Sequence, residues 1–454
     1  MTFFDLIFIF RLIPIFLIIY YILPCSCRAW LLLVASIGFY YINEPVYIAV
    51  ISGATLINYI LAKLLLKKKS KLLLAIGVVA NVSCLAFFKG ASTFGLNIII
   101  PLGISYYIFK MISYLADLYN GKIQSVEFKT MATYFFMFPQ ITAGPIARMD
   151  YVTGNQFWIK SDKTKKEKIF EILLKIEEGL KLFAIGLFMK VMIADHLSVL
   201  WNDIKTIGYE SISTPLAWLG AYSYSFELYF DFWGYSLMAA GIGIMLGFPF
   251  ISNFNQPYFS KSISEFYRNW HSTLGAWFRD YVYFPLGGNR KGKLRTVFNI
   301  FVVWAFTGIW HGLTFNFWIW AGILFVIIVL EKFLLGRFEK LFKVIGRFNV
   351  LVIIPITWVI FAIHSLKYLR IYLLRIFPVI DISVAVNKND YLFMLEDYWL
   401  YLVLAVIFTI PALTGFYKKH KNNVFTILVI FGMFWISIFS LANSAGNPFM
   451  YLRF

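Results

Sequence analysis

Twelve largely apolar stretches recur along this chain, and short runs of lysine and arginine lie between them. They are Leu6–Leu23, Ala29–Ile42, Val46–Ala62, Leu72–Phe88, Leu180–Ala194 and Pro215–Phe230. Tyr235–Phe250, Val297–Trp310, Phe315–Leu335, Val350–Ile363, Tyr398–Leu413 and Val424–Leu441 complete the set. A helix that crosses hydrocarbon needs about 20 mostly apolar residues at 1.5 Å each. The pattern therefore predicts an all-α polytopic membrane protein with about ten to twelve transmembrane helices, the shorter ones tilted or only partly spanning. Composition agrees: 60% of the residues are hydrophobic and 14% charged, against roughly 45–50% and 25% in soluble domains. Such a chain has too little polar surface to dissolve, which excludes a cytosolic enzyme, a disordered chain and a disulfide scaffold.

The charge balance has a topological meaning. Forty-one basic and 23 acidic residues give +18, and the excess is concentrated in loops such as Lys67-Lys68-Lys69 and Arg290-Lys291-Gly292-Lys293. Basic loops mark the cytoplasmic side and contact anionic lipid headgroups, so membrane lipids are expected partners and nucleic acid is not. The rule places Lys63–Lys71, Lys160–Lys181, Arg290–Arg295, Arg337–Arg347 and Lys418–Lys421 inside and the N-terminus outside. Three cysteines make no framework. Leu6–Leu23, with Arg11 and Pro14 and no small-residue cleavage site, reads as a retained first helix.

Two segments break the pattern. Met131–Arg148 contains Phe138-Pro139-Gln140 and Ala143-Gly144-Pro145, and it must enter and return if the basic segments on both sides are cytoplasmic; a re-entrant hairpin is expected. Such backbone survives at membrane depth only where protein covers it or a cavity wets it. Ser252–Arg295 is too polar for a lipid-facing span, interleaving Lys261, Glu265, Arg268, His271, Arg279 and Asp280 with Trp270, Trp277 and Tyr281. No repeat, linker or low-complexity tract divides the chain, so residues 1–454 read as one domain.

Ionisable groups at membrane depth are costly and face a cavity or a partner. His311 lies between two apolar spans in Thr307-Gly308-Ile309-Trp310-His311-Gly312, where the glycines would let a ligand come close. His271 lies in Trp270-His271-Ser272. Histidine is the usual proton acceptor when a hydroxyl must be activated near neutral pH, although either ring could simply satisfy a buried carbonyl. His364 and His420 are expected to be interfacial or solvated, and His196 to pair with Asp195. Glu227 and Asp231 are expected to pair with Arg268 or Arg279, and Asp117 to cap or pair.

Other chemistry fits poorly. The two histidines lack the spacing of zinc ligands on one helix face, so no metal site is expected. No Gly-x-Ser-x-Gly elbow occurs. Gly287–Lys293 mimics a phosphate-binding loop, but Leu294 stands where a Ser or Thr should reach Mg²⁺, and the segment reads as a basic cytoplasmic loop.

An ordered set of motifs resembles the membrane-bound O-acyltransferases, in the branch that O-acetylates alginate and bacterial cell-wall polysaccharides. The set opens with Pro101-Leu102-Gly103-Ile104-Ser105-Tyr106-Tyr107 and Phe138-Pro139-Gln140-Ile141-Thr142-Ala143-Gly144-Pro145-Ile146. Tyr229–Ser236, Asn253-Phe254-Asn255-Gln256-Pro257-Tyr258 and Ser264-Glu265-Phe266-Tyr267-Arg268-Asn269-Trp270-His271 follow. Trp277–Tyr281, Pro285–Arg290, Trp310-His311-Gly312 and Asn447–Tyr451 close it. Tyr267 replaces a usual tryptophan, Trp233 and Leu237 replace a small residue and an acid, and Phe361-Ala362-Ile363 lacks a basic residue often found there.

The resemblance implies helices around a central funnel, where a cytoplasmic thioester donor meets an external acceptor. It gives His311 the catalytic role and His271 a second active-site role. Trp310, Trp270, Arg268, Arg279, Asp280, Asn289, Arg290 and Lys291 are expected to bind substrate or donor. No cofactor is held permanently; acetyl-CoA is the expected donor, its phosphates screened by Arg290, Lys291 and Arg295. A bacterial cytoplasmic-membrane location and a separate extracytoplasmic partner of the SGNH/GDSL-like serine-hydrolase type are also implied. The rival readings are D-alanyl or other short-acyl transfer to a teichoic-acid-type polymer, a transporter or flippase, and a non-catalytic membrane scaffold.

Overall fold

The computed structural model describes residues 1–91, 98–142, 144–158, 162–334, 345–379 and 384–443. Ala143, Lys160, the Asn447–Tyr451 motif and most of the Arg337–Arg347 loop lie outside them. Among the described residues the regular elements are helices, with no strand. Eight of these helices are long and apolar enough to cross a membrane, and Phe8–Ile22 is a shorter apolar one. Pro215–Phe230 and Tyr235–Phe250, expected as two spans, belong largely to one helix, Thr214–Met245. Gly234 interrupts the apolar pattern, but a lone glycine costs a helix only about 1 kcal/mol.

The described residues gather into two compact units, one of Met1–Leu187 with Tyr235–Ser252 and one of Phe188–Gly234 with the described residues from Asn253 to Asn443. In the first, α1 (Phe8–Ile22), α2 (Cys25–Asn43), α3 (Ile48–Lys67) and α4 (Lys71–Ala91) precede α5 (Ile104–Tyr119). Between α3 and α4, Asn58 and Asn81 exchange side-chain amide bonds of 3.1 and 2.9 Å, and each also donates to a carbonyl one turn back in its own helix. Such paired amides hold helices together where water is absent.

The expected re-entrant segment forms α6 (Phe128–Phe136) and α7 (Phe138–Ile141), too short to span and almost wholly buried. Met137 departs from helical geometry between them, and the Phe138 amide that would be stranded donates to Ser36 Oγ at 3.1 Å. Gly103, at φ +67°, admits this segment: a Cβ there would lie 1.8 Å from the Ile141 carbonyl oxygen.

The second unit carries the histidines. It contains the C-terminal part of α8 (Lys165–Ile207), most of α9 (Thr214–Met245), and two seven-residue helices, α10 (Ile263–Asn269) and α11 (Ser272–Phe278). After them come α12 (Lys293–His311), α13 (Phe315–Phe333), α14 (Ile345–Ala362), α15 (Asp390–Thr409) and α16 (Val424–Asn443). α12 and α13 pack closely because Gly308 has no side chain; a Cβ there would stand 3.0 Å from Ala321 Cβ. The polar stretch 252–295 is therefore broken helix, tied down by α13. Buried Glu331 accepts from the Ile263 and Ser264 amides at 2.7 and 2.8 Å and from Ser264 Oγ at 2.6 Å. A carboxylate at a helix start satisfies orphan amides and complements the helix dipole. Ser262 caps the same helix by accepting from the Glu265 amide.

Candidate active site

His311 is the last residue of α12. The chain then extends through Gly312, where a Cβ would fall 2.5 Å from the Phe317 ring; α13 can start so soon after α12 only because that position is glycine. The half-buried imidazole faces a wall of rings. Ring centroids lie 4.4 Å away for Trp310, 4.9 Å for Phe361, 5.2 Å for Trp320 and 6.1 Å for Phe317. Phe361 and Trp320 both meet it edge to face, a geometry that suits the ring quadrupoles. Phe361 belongs to the Phe361-Ala362-Ile363 segment noted above.

His271 is held differently. It joins α10 to α11 at φ +43°, one of two described non-glycine residues with positive φ. That backbone costs an L-residue roughly 1–2 kcal/mol, and such strain persists only where the surroundings over-determine it. The surroundings here are the segment Asn253–Asn255: Asn253 O accepts from the Ser272 amide at 2.9 Å, and the Asn255 amide donates to Asn269 O at 3.0 Å. The Asn253 side-chain oxygen meets His271 Nδ1 at 2.9 Å and accepts from Thr273 Oγ1 at 2.8 Å. Phe232 stands edge-on to the imidazole at 4.6 Å. Burial pushes the His271 pKa down to about 3, because the charged form is the one that loses hydration.

A chain of indoles runs from beside one histidine to the other. Trp270 lies 4.9 Å from Trp358, Trp358 lies 5.9 Å from Trp320, and Trp320 touches His311. Tyr267 packs against Trp304, Trp320 and Trp358. Of the expected site residues, Trp310 stands beside His311, whereas Trp270 and His271 connect to it only through a relay of rings, Phe232–Phe254–Trp270–Trp358–Trp320. The others lie elsewhere on the surface. Arg268 is exposed at the end of α10, and exposed Arg279 pairs with Asp280 at 2.9 Å. Asn289, Arg290 and Lys291 are exposed on the loop before α12, where Asn289 Oδ1 accepts from Lys332 at 3.1 Å. The Gly287, Gly288 and Arg290 amides of that loop donate to carbonyls within the turn, so they are not turned toward a phosphate as in a P-loop.

Several charge pairings differ from expectation. Asp231 pairs with Lys190 at 2.9 Å, not with Arg268 or Arg279, and Lys190 also pairs with Asp195. The reason is local: Met189–Ala194 is a π-helical turn, and its five-residue hydrogen-bond spacing brings Lys190 and Asp195 onto one face. Glu227 lies one turn before Asp231 on α9 and is likewise buried. His196 does not pair with Asp195; it stacks on Tyr401 at 3.9 Å and its Nδ1 meets Val191 O. Asp117 pairs with Lys122 at 3.0 Å, as expected. His364 is exposed, with Nδ1 3.3 Å from Asn316 Oδ1, and half-buried His420 folds back on Phe416 O.

Sequence reading missed Asn253, Trp320, Trp358 and Phe361 as parts of this site. Asn253 was visible only as part of a motif, because a short polar segment eighteen residues before His271 gives no periodic signal that the two are clamped together. The aromatic residues read as ordinary span composition.

The membrane-bound O-acyltransferase family model matches residues 29–374. The chain is 33% identical to the probable alginate O-acetylase AlgI of Pseudomonas putida over the full length of both. It is also 33% identical to the peptidoglycan O-acetyltransferase of Helicobacter pylori over 69% of this chain and 67% of that one. With the teichoic acid D-alanyltransferase of Bacillus subtilis it shares 30% identity over 48% of this chain and 55% of the other. Eight described helices of membrane-crossing length and apolarity together with these matches lead to one conclusion: the chain is a multi-pass membrane protein that belongs to the membrane-bound O-acyltransferase family.

Proposed function

We propose that this O-acyltransferase moves an acetyl group, or another short acyl group, from cytoplasmic acetyl-CoA to a hydroxyl, for O-acetylation of an extracytoplasmic polysaccharide. Alginate-like exopolysaccharide, peptidoglycan and other wall glycans are the candidate polymers. In this reading His311 removes the hydroxyl proton as the oxygen attacks the thioester carbonyl. The tetrahedral intermediate collapses, the carbon–sulfur bond breaks, and the thiolate takes the proton back from the imidazolium. His271 orients the reacting groups. A positioned base contributes about 10²–10⁴-fold, so alignment and carbonyl polarisation supply the rest. The region of exposed Arg290 and Lys291 and half-buried Arg295 screens the donor phosphates. The enzyme sits in a bacterial cytoplasmic membrane, and a separate SGNH/GDSL-like extracytoplasmic transferase completes delivery to the glycan.

The observation that carries this reading is the half-buried imidazole at the end of α12, set against a wall of aromatic rings. Acetyl is favoured over D-alanyl because the match to the alginate O-acetylase covers the whole chain, whereas that to the D-alanyltransferase covers about half. Mass spectrometry of surface glycans from cells with the chain, without it, and with His311→Ala tests the proposal. Ester-linked acetyl should disappear in the last two. Unchanged esters with a normally inserted variant would favour a scaffold, and substrate movement without thioester cleavage would favour a transporter.

A further inference from the structure

We infer that Asn316 is a positioning residue for the acyl-transfer step: its carboxamide locks the end of α14 to the start of α13 and so holds Phe361 edge-on against His311. The inference rests on the acyl-transfer reading with His311 as base and deepens it, since that reading does not say what keeps the imidazole in one orientation.

Asn316 lies in the first turn of α13, close after His311 in the chain, and it is fully buried. A buried carboxamide needs partners at both ends, and this one bridges two helices. Its Nδ2 donates to the Phe361 backbone carbonyl at 2.9 Å. Phe361 is the last residue but one of α14, so its carbonyl belongs to the set at a helix end that meets no amide within the helix. The Asn316 Oδ1 accepts from Thr314 Oγ1 at 2.6 Å, and His364 Nδ1 lies 3.3 Å from the same oxygen. The amide fits only this way round: turned over, it would set its own oxygen against the Phe361 oxygen, with no proton between them.

What this bond holds is the wall of His311. The Phe361 ring meets the imidazole at 4.9 Å and 83°, and Phe317, next to Asn316 in the chain, lies 6.1 Å from it at 28°. The two phenyl rings touch each other at 4.9 Å. The imidazole is thus flanked by one ring from α14 and one from α13, and Asn316 ties together the two backbones that carry them. Ring contacts are individually weak and not strongly directional, whereas a hydrogen bond weakens steeply as it bends. Asn316 therefore supplies register where the rings supply contact. Register matters because a general base must come within about 2.6–3.2 Å of the atom whose proton it takes, and a misplacement of about 1 Å can cost roughly a hundredfold. No bond is made or broken at Asn316.

The experiment measures kcat and KM per folded molecule, in detergent, with acetyl-CoA and a hydroxyl acceptor. Wild type is compared with Asn316→Ala, Asn316→Leu, Phe361→Leu, the double variant Asn316→Ala/Phe361→Leu, Thr314→Val and His311→Ala, and glycan ester in cells is read in parallel. Asn316→Ala should lower kcat by about ten- to a hundredfold with KM for the donor little changed, because alignment of the base is lost and donor binding is not. Phe361→Leu should fall by a similar factor. Since Asn316 acts through Phe361, the double variant should lose little more than the worse single variant. Thr314→Val removes a donor to Asn316 but leaves its bond to Phe361, and should stay within about threefold of wild type.

Losses that multiply in the double variant overturn the inference, because independent residues add in free energy. So does a lower folded fraction of Asn316→Ala with unchanged kcat, which is a purely structural role, and so does a Thr314→Val loss as large as that of Asn316→Ala. If Asn316→Ala fails to fold, Asn316→Leu, which keeps the volume, takes its place; if neither folds, Phe361→Leu decides, and wild-type kcat there overturns the inference. His311→Ala separates the two levels. Lost activity there with normal Asn316→Ala activity counts against the inference alone, whereas wild-type activity of folded His311→Ala counts against the reading that makes it the base. Glycan ester that follows the expected order in cells without acetyl-CoA turnover supports the inference and counts against the donor assignment alone.

Discussion

Two polar places lie inside the second unit, and they accommodate buried polarity in opposite ways. Around Lys190 the charges answer one another: Asp195 and Asp231 share one ammonium, and Glu227 lies a turn away. Around His271 and His311 the neighbours are mostly rings and one carboxamide. A buried charge without its partner is strongly destabilising, so the first arrangement is committed to holding α8 against α9. The second holds imidazoles, the side chains best suited to exchange a proton near neutral pH. Burial alone therefore does not mark a candidate site; the chemistry of the buried groups does.

The comparison breaks most sharply if the two places respond alike to mutation. His311→Ala should lower acyl transfer by about 10²–10⁴-fold with a smaller fall in melting temperature in detergent than a lost charge pair, because it gives up ring contacts but strands no buried charge. Lys190→Met should do the reverse: a stability loss of about 3–5 kcal/mol from the stranded carboxylates, read as a lowered melting temperature, with kcat per folded molecule retained. Equal losses of activity in both variants would erase the distinction.

Smaller effects refine it. Glu331→Gln removes the charge from three hydrogen bonds that start α10. A stability loss of about 1.5–3 kcal/mol is expected, with reduced activity because α10 leads directly into His271. Gly312→Ala brings a methyl group against the Phe317 ring. Overpacking of that kind costs about 1–3 kcal/mol, and the displaced ring wall should lower activity through His311 while the folded fraction stays high. Both are checked by thermal denaturation alongside turnover.

Much of this was legible in the sequence. The apolar stretches and the basic runs between them carry the class, since hydrocarbon leaves a chain few options. His311 stood out because a histidine between two strongly apolar spans is expensive. His271 stood out less, and Asn253 only as one member of a motif, because clamps between short irregular segments are set by tertiary contact and leave no period. The carboxylate pairing was misread for a similar reason. Lys190 looked like a residue inside a span, and only the π turn over Met189–Ala194 turns it to the face it shares with Asp195. The split of one long helix, α9, into two expected spans arose from trusting a break in apolarity where the backbone simply continues.

The most direct test of the central claim is a single-turnover measurement of thioester cleavage by the purified enzyme and by His311→Ala, in the presence of a hydroxyl acceptor. The account predicts acceptor-dependent release of free thiol from acetyl-CoA by wild type, and a rate for the folded variant lower by at least about a hundredfold. A folded His311→Ala protein that releases thiol and forms ester at the wild-type rate would contradict it.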